Sequence, residues 1–526
     1  MKLKPILIFL VFILFLLSSK IVDLFTEYFW FDEVGYLSVY LTVLKTRIML
    51  GAVAFALFFA FMYINIRVAL KNTRSLGFLL IYSGAILIIS LLFGIYASLK
   101  WDIVLSYLNQ VPFNLNDPIF GHDISFYVFS LPFYNFLLNG LFAVIILSGI
   151  GAALIYLFNG GLLNQLERQA DPGYEKVINV LRIPDGTKIH FAVMTGLFTL
   201  LLAIKFYLMQ FDILYTSKKA FFGPGYADIN IQLGVITVMI AVALLVSLLF
   251  FLSIRNVNIK LPLAGIILII ALFIGGSFLT DIVHQYKVLP DESNIEKPYI
   301  ENSIKYTRLA FDLEDIKQIE FPVSSNLTLN DLEKNTKTIE NIRLWDWKPL
   351  LTAYKQLQLI RTYYEFKDVD INRLTIDGEY RQIAMSAREI DSKKLPEQGR
   401  TWVNERLVYT HGYGIAMSPV RGVSKEGLPE FYIKDVPPRS DFFNITRPET
   451  YFGELDYDYV IVNTTNPEFD YPSGELKEVV YTTYKGTGGV SLRSGLVKLA
   501  MAFRFGEINI LISDSIQPES RILFRR

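Results

Sequence analysis

The chain contains no cysteine at all. Disulfides, thiolate nucleophiles and cysteine-held zinc or iron–sulfur sites are thereby excluded. Histidine is nearly as scarce. His122, His190, His284 and His411 are the only four, and no two lie close enough in sequence for an HExxH-type site. A metal would need carboxylate ligands, and no compact run of them stands in the sequence, so neither a metal nor a cofactor is expected. An excess of charge is missing too. The 50 basic and 50 acidic residues cancel, which removes the positive field on which nucleic-acid binding depends.

What is present is apolar length. The 526 residues are 52% hydrophobic and 14% aromatic, with a mean hydropathy of +0.38. That average covers two different halves. Seven apolar stretches run through the first: Ile6–Ser19, Ile48–Ile66, Leu76–Leu99, Phe133–Phe158, Phe191–Leu208, Leu233–Ile254 and Leu261–Leu279. A bilayer core takes about 20 apolar residues of helix, and helix satisfies the backbone where there is no water. The first stretch follows Met1-Lys2-Leu3-Lys4 like a signal peptide but lacks a small-residue cleavage site. It reads as an uncleaved span reaching toward Phe25.

Charge orients these spans. With the amino terminus inside, the inner segments hold eleven basic residues against four acidic ones, whereas the outer loops hold six basic against nine acidic. The expected fold class is therefore a polytopic α-helical membrane bundle of about seven spans over residues 1–280. A mixed α+β extracytoplasmic domain follows over 281–526. The N-terminus is expected in the cytoplasm, in a cell membrane whose bilayer is the first partner. Within the spans Lys205 is the clear ionisable residue, a binding candidate if the bundle transports something. Snorkelling to the interface explains it more simply. Gly149, Gly151, Gly275 and Gly276 fit close helix packing. Two outer loops, 25–35 and 117–127, are rich in aromatics, and Tyr28, Trp30 and Tyr127 suit the headgroup layer.

Beyond Asp281 the composition turns polar. Helices are expected over Glu296–Leu313, after an N-cap at Asp346, and over Ser491–Phe505, where Leu492, Leu496, Leu499 and Phe503 share a face. Strands are expected at Arg406–Thr410, Glu430–Lys434, Asp458–Val462 and Glu478–Tyr484. The run Trp345-Asp-Trp347 reads as a helix start with buried indoles. His411 sits between a strand and two glycines, with Glu405, Ser418 and Asp435 near in sequence. It is the weak candidate for catalysis in a hydrolytic triad. No GxSxG elbow accompanies it, and a glycine turn with a hydrogen-bonded histidine explains it better. Lys485–Val490 (KGTGGV) resembles an anion-cradling loop but lacks the GK[ST] ending. Tyr413 and Arg447 lie in ordered loops of the kind that carry binding residues.

At these residues the chain resembles a known family. Thr401–Gly414 (TWVNERLVYTHGYG), Glu426–Pro438 (EGLPEFYIKDVPP), Arg447–Gly453 (RPETYFG) and Tyr484–Val490 (YKGTGGV) look like hallmarks of uncharacterised protein family 0182, bacterial multi-pass membrane proteins. Asp117–Leu131 (DPIFGHDISFYVFSL) and Pro298–Asn302 extend the likeness over nearly the whole chain. The resemblance implies seven spans and a large outer domain, but no assigned activity and no catalytic residues. It also implies a longer protein, continuing well past Ser513–Arg526, so that the outer domain here is incomplete. The expected function is a membrane-anchored binding or scaffolding protein for an envelope protein or polymer. An envelope hydrolase using His411 and a transport-related role are the alternatives.

Overall fold

Long runs of Leu, Ile, Val and Phe have one way to pair their amides without water, and they take it. The computed structural model describes residues 19–73, 76–158, 184–218, 221–256, 260–323, 325–455, 458–473 and 478–524. The expected first span, Ile6–Ser19, lies almost wholly outside them. The chain divides into two compact units, residues 42–319 and residues 1–41 with 320–526.

Six described helices are long and apolar enough to cross a membrane. After α1 (19–33), these are α2 (Leu37–Asn72), α3 (Leu79–Ser98), α5 (Leu131–Phe158), α6 (Asp185–Asp212), α7 (Leu233–Asn256) and α8 (Lys260–Val283), with the short α4 (Trp101–Leu108) between α3 and α5. Large apolar side chains such as Leu57, Leu80, Leu92 and Ile267 point out of this unit, as they should where the surroundings are lipid. Small residues set the closest crossing. A Cβ at Gly94 of α3 would stand 2.8 Å from the Gly51 carbonyl oxygen of α2, so only a bare backbone fits there. Of the glycines expected in close packing, Gly151 meets Ile66 and Gly276 meets Val235, whereas Gly149 and Gly275 face open space. The expected helix at Glu296–Leu313 forms as α9 (Lys297–Ala310) and belongs to this unit.

The loop before α5 is held by one buried acid. Asp117 accepts the amides of Ile119, Phe120 and His122 and, at 2.6 Å, the hydroxyl of Tyr127. Tyr127 is therefore buried beneath the loop. Asp228 and Glu296 act alike, capping the amides of Gly225 and Tyr226.

The other unit is α+β. An antiparallel sheet orders β2 (Asp370–Ile376), β3 (Glu379–Ala387) and β6 (Ile415–Pro419). Asp377 and Gly378, both at positive φ, close the β2–β3 hairpin in the two-residue turn that matches strand twist. Helix α10 (Trp347–Gln358), capped by Asp346, lays Leu350 and Tyr354 against that sheet. Trp345 is bonded to the Gly422 carbonyl, but Trp347 is left exposed, contrary to the expected pair of buried indoles. A second antiparallel sheet orders β11 (Val490–Ser491), β12 (Arg521–Leu523) and β8 (Val460–Val462), with α11 (Gly495–Phe505) and the short α12 (Asn509–Ile512) packed on it through Val497, Met501 and Ile510.

Three strand pairs complete the unit: β1 (Tyr364–Glu365) with β4 (Glu389–Ile390), β5 (Gly412–Tyr413) with β7 (Glu449–Thr450), and β9 (Glu468–Ser473) with β10 (Glu478–Thr482). Two expected strands are absent. Arg406–Thr410 falls largely in a π-helical turn, Asn404–Val408, because Leu407 is drawn into the core under α11 while Arg406 lies over the ring of Tyr459. Glu430–Lys434 makes only an isolated bridge, Ile433 to Met417.

In the core of this unit lies Arg388, fully buried and, among the described residues, without a carboxylate partner in hydrogen-bond range. It donates to the carbonyls of Gln358, Tyr413 and Asp435 and to the side-chain oxygen of Gln358, and it lies 5.3 Å over the ring of Phe366. Burial pulls its guanidinium down to about 10, offset in part by Tyr364 and Asp435, so the group stays charged at neutral pH. Arg388→Met would strand these oxygens in the core. It should cost at least about 3 kcal/mol, measured as a lowered denaturant midpoint.

Candidate functional site

The antiparallel pairing of β5 with β7 sets Gly412 opposite Thr450 and Tyr413 opposite Glu449. The segments THGYG and RPETYFG therefore lie side by side, joined further by the Gly414 amide donating to the Pro448 carbonyl at 2.8 Å. Gly412 is required by close approach. A Cβ there would stand 2.2 Å from the Arg388 carbonyl oxygen across the β4–β5 contact.

This pairing carries His411 under Tyr451, with ring centroids 4.6 Å apart. The side chain of His411 is wholly enclosed. Its Nδ1 is 3.0 Å from Thr410 Oγ1, and that hydroxyl donates to Glu468 Oε2 at 2.7 Å. Since the hydroxyl has one proton, Nδ1 is the donor to Thr410. Nε2 lies 3.4 Å from Asp470 Oδ1. Glu468 is the hub of the cluster. It also accepts the Tyr451 hydroxyl at 3.0 Å and the Tyr484 amide at 2.9 Å. Burial, then the charge and hydrogen bond of Glu468, push the Tyr451 hydroxyl well above the usual phenol range.

The carboxylate and hydroxyl that a catalytic histidine needs are thus present, but around a side chain that is wholly enclosed. The sequence neighbours considered for a triad are elsewhere. Ser418 lies in β6 and shares its hydrogen bond with Tyr354. Asp435 holds a left-handed loop position and gives its carbonyl to Arg388. Glu468, Asp470 and Tyr451 were the partners to find. They arrive through pairing of distant strands, and nothing near His411 in sequence marks them.

Tyr413 is buried against Tyr471, and Arg447 is exposed and paired with Glu449 at 3.4 Å. The KGTGGV loop leads into β11, with the helix starting only at Gly495. It turns the carbonyls of Gly488 and Gly489 toward Arg521, 3.1 Å from each. A loop that presents oxygens to a cation is the reverse of an anion cradle.

Lys205 belongs to the other unit. Its Nζ donates to Asn135 of α5 at 2.8 Å. A polar cluster missed in the sequence lies on the same helix. His190 joins Tyr156 at 2.9 Å and Asn65 at 3.2 Å, and Asn72 donates to Tyr156. Fifteen residues, about 22 Å of helix, separate His190 from Lys205. The buried residues between them are Ala192, Met194, Gly196, Thr199 and Ala203, and Thr199 bonds its own helix. The cluster pins α2, α5 and α6 together.

Among the described residues, one group could hold a metal. Asp368, Asp370 and Glu454 bring one oxygen each within 4.8 Å of one another, at a cleft of about 420 Å³ that Lys367 and Glu389 also line. Such exposed oxygens suit a hard cation such as Ca²⁺ or Mg²⁺, with water completing the shell. Exposed acids also cluster with no ion, and nothing else here points to one.

Two predictions follow from these clusters. His411→Ala would leave Asp470 and Thr410 without their buried partner and should destabilise the protein by about 2–4 kcal/mol in chemical unfolding. In the acidic cleft, the hydrogen bond to Asp368, then burial and the neighbouring acids, raise the Glu454 carboxyl above its ordinary range. The folded state retains a proton that the unfolded chain releases near pH 4.3. The resulting stability is complete below that pH and is lost as pH rises through the folded value. Glu454→Gln should therefore melt above the parent at about pH 8 and with it at about pH 4.

Comparison with known proteins places these features in a family. The description "Uncharacterised protein family (UPF0182)" matches residues 4–526. The chain is 39% identical to a UPF0182 protein of Methanospirillum hungatei, covering 99% of this chain and 59% of that one. It is 36% identical to one of Geobacter sp., covering 98% and 58%, and 37% identical to one of Trichlorobacter lovleyi, covering 100% and 59%. The chain thus spans just under three fifths of these curated relatives. No solved structure matches it. The interlocked THGYG, RPETYFG and KGTGGV segments and the six apolar helices are those of a chain that belongs to the UPF0182 family.

Proposed function

We propose that the chain is a seven-span protein of the cell membrane with a cytoplasmic N-terminus, and that its α+β unit is an extracytoplasmic binding or scaffolding module. The charge bias of the loops supports the orientation. The observation that carries the binding role is a row of large apolar side chains standing open on residues 320–344. Phe321 is 86% and Val323 95% exposed, with Leu327, Leu329, Ile342 and Leu344 also out. Monomeric soluble surfaces rarely leave so many apolar groups together, and such patches mark contact with another macromolecule. An envelope protein or polymer is the partner that this location offers.

The enclosed His411 favours this reading over hydrolysis. The catalytic alternative needs the Glu468 cluster to open for every turnover. Transport is supported less again, because Lys205 and the His190 cluster are separate. A photocrosslinking residue at Phe321 or Val323 tests the proposal in growing cells. The expected product is a discrete adduct of this chain with one envelope component, absent when the residue is placed at exposed Arg373. Adducts with the chain's own residues only would defeat the binding role.

A further inference from the structure

The expected amphipathic helix near the C-terminus forms over Gly495–Phe505. In α11 the buried positions are Val497, Met501 and Ala502. Of the four residues expected to share a face, Leu492 precedes the helix and is buried, whereas Leu496, 75% exposed, Phe503, 65% exposed, and Leu499 are turned outward. The next short helix prolongs it: Ile508 and Ile512 are each 65% exposed, and Leu511 is exposed as well. Packing does not demand this. The helix pair already fills the core with its other side, so a second apolar face is surplus to the fold.

Its position within its own unit tells what covers it. Helix α1 is the continuation of the first apolar stretch. It contacts the module along one face: Phe29 and Trp30 pack into the core beneath α11, and Glu33 pairs with Arg521 at 2.5 Å. Arg504, beside Phe503, donates to Thr26 Oγ1 at 2.7 Å and lies 3.6 Å from Glu27. On the opposite face of α1, Ile21, Leu24, Phe25 and Tyr28 are exposed. In sequence these residues continue the first apolar stretch, and where that stretch is a span, Thr26 marks the level of the headgroups. The contact with Arg504 brings the outward face of α11 to that level. The α11 sequence GLVKLAMAFRF adds Lys498 and Arg504 and contains no acid. Lys498 donates to the Ile516 carbonyl and Arg504 is held by Thr26 and Glu27, so the outward face itself is apolar, and such a face lies in the headgroup–acyl boundary to a depth of about 5–10 Å.

We propose that α11 and α12 form an interfacial foot: their apolar face lies in the headgroup–acyl boundary of the leaflet from which α1 emerges. The occupant of this face is lipid. The inference rests on the reading of the apolar helices as membrane spans, and the test separates the two.

The absence of cysteine makes single-site labelling direct. The full chain, carrying Leu496→Cys, Phe503→Cys or Ile512→Cys, would be labelled with an environment-sensitive nitrobenzoxadiazole dye. It would then be reconstituted into vesicles of phosphatidylcholine and phosphatidylglycerol containing a lipid with a nitroxide near its glycerol. Leu57→Cys, on the outside of α2, reports on the spans, and exposed Arg373→Cys sets the aqueous reference. The expected result is blue-shifted emission at 496, 503 and 512, with nitroxide quenching comparable to that at 57 and well above that at 373. Quenching at 57 with water-like emission at the three sites overturns the foot and leaves the spans standing. Blue-shifted but unquenched emission there means that a second copy or another polypeptide covers the face, which also overturns it. Loss of quenching at 57 removes the spans and the foot together.

Discussion

A guanidinium taken out of water must find acceptors for five N–H groups at once. In the α+β unit Arg388 is met mainly by backbone carbonyls, from the end of α10, from β5 and from the loop at Asp435. Each of those carbonyls belongs to a different segment, and each must be in place before the cation is satisfied. The geometry of β5, and through it the placing of His411, is fixed by that requirement. Glu468 is the anionic counterpart, collecting hydroxyls and amides from four directions. Neither ion faces the other; each is solvated by the fold itself.

The same device recurs in the helical unit, where Asp117, Asp228 and Glu296 are buried and cap loop amides. Polar backbone near a bilayer is costly unless paired. A short side chain with two acceptor oxygens pairs several amides within one turn. The segments DPIFGHD and RPETYFG owe their order to such acids, Asp117 in the first and Glu468 beside the second. These segments are structural joints before they are anything else.

The helices were legible because a bilayer selects on length and apolarity, and both are local properties. Helix α10 was legible for the same reason, from its spacing and its Asp346 cap. The sheets were not. Asp377-Gly378 is a strong hairpin signal, but the alternation on either side is broken by exposed Asn372 and Arg373 and by half-buried Arg381. Arg406–Thr410 reads as a strand only until Leu407 has a core to enter. His411 was conspicuous by rarity alone, while its partners come from β9 and β7, whose registers are set by long-range pairing. The outward side of α11 shows the limit of amphipathicity: the pattern locates two faces and does not say which of them meets protein.

The division of the chain into units has a consequence in time. The first 41 residues belong with residues 320–526, and all of residues 42–319 lie between. At ribosomal speeds of about 5–20 residues per second, the α1 side of that interface waits on the order of 25–100 s for the core that ends at Phe524. During that interval Phe29 and Trp30 have no core to enter. Helix α1 is made first and closes last, so this unit can complete only when almost the whole chain has been synthesised.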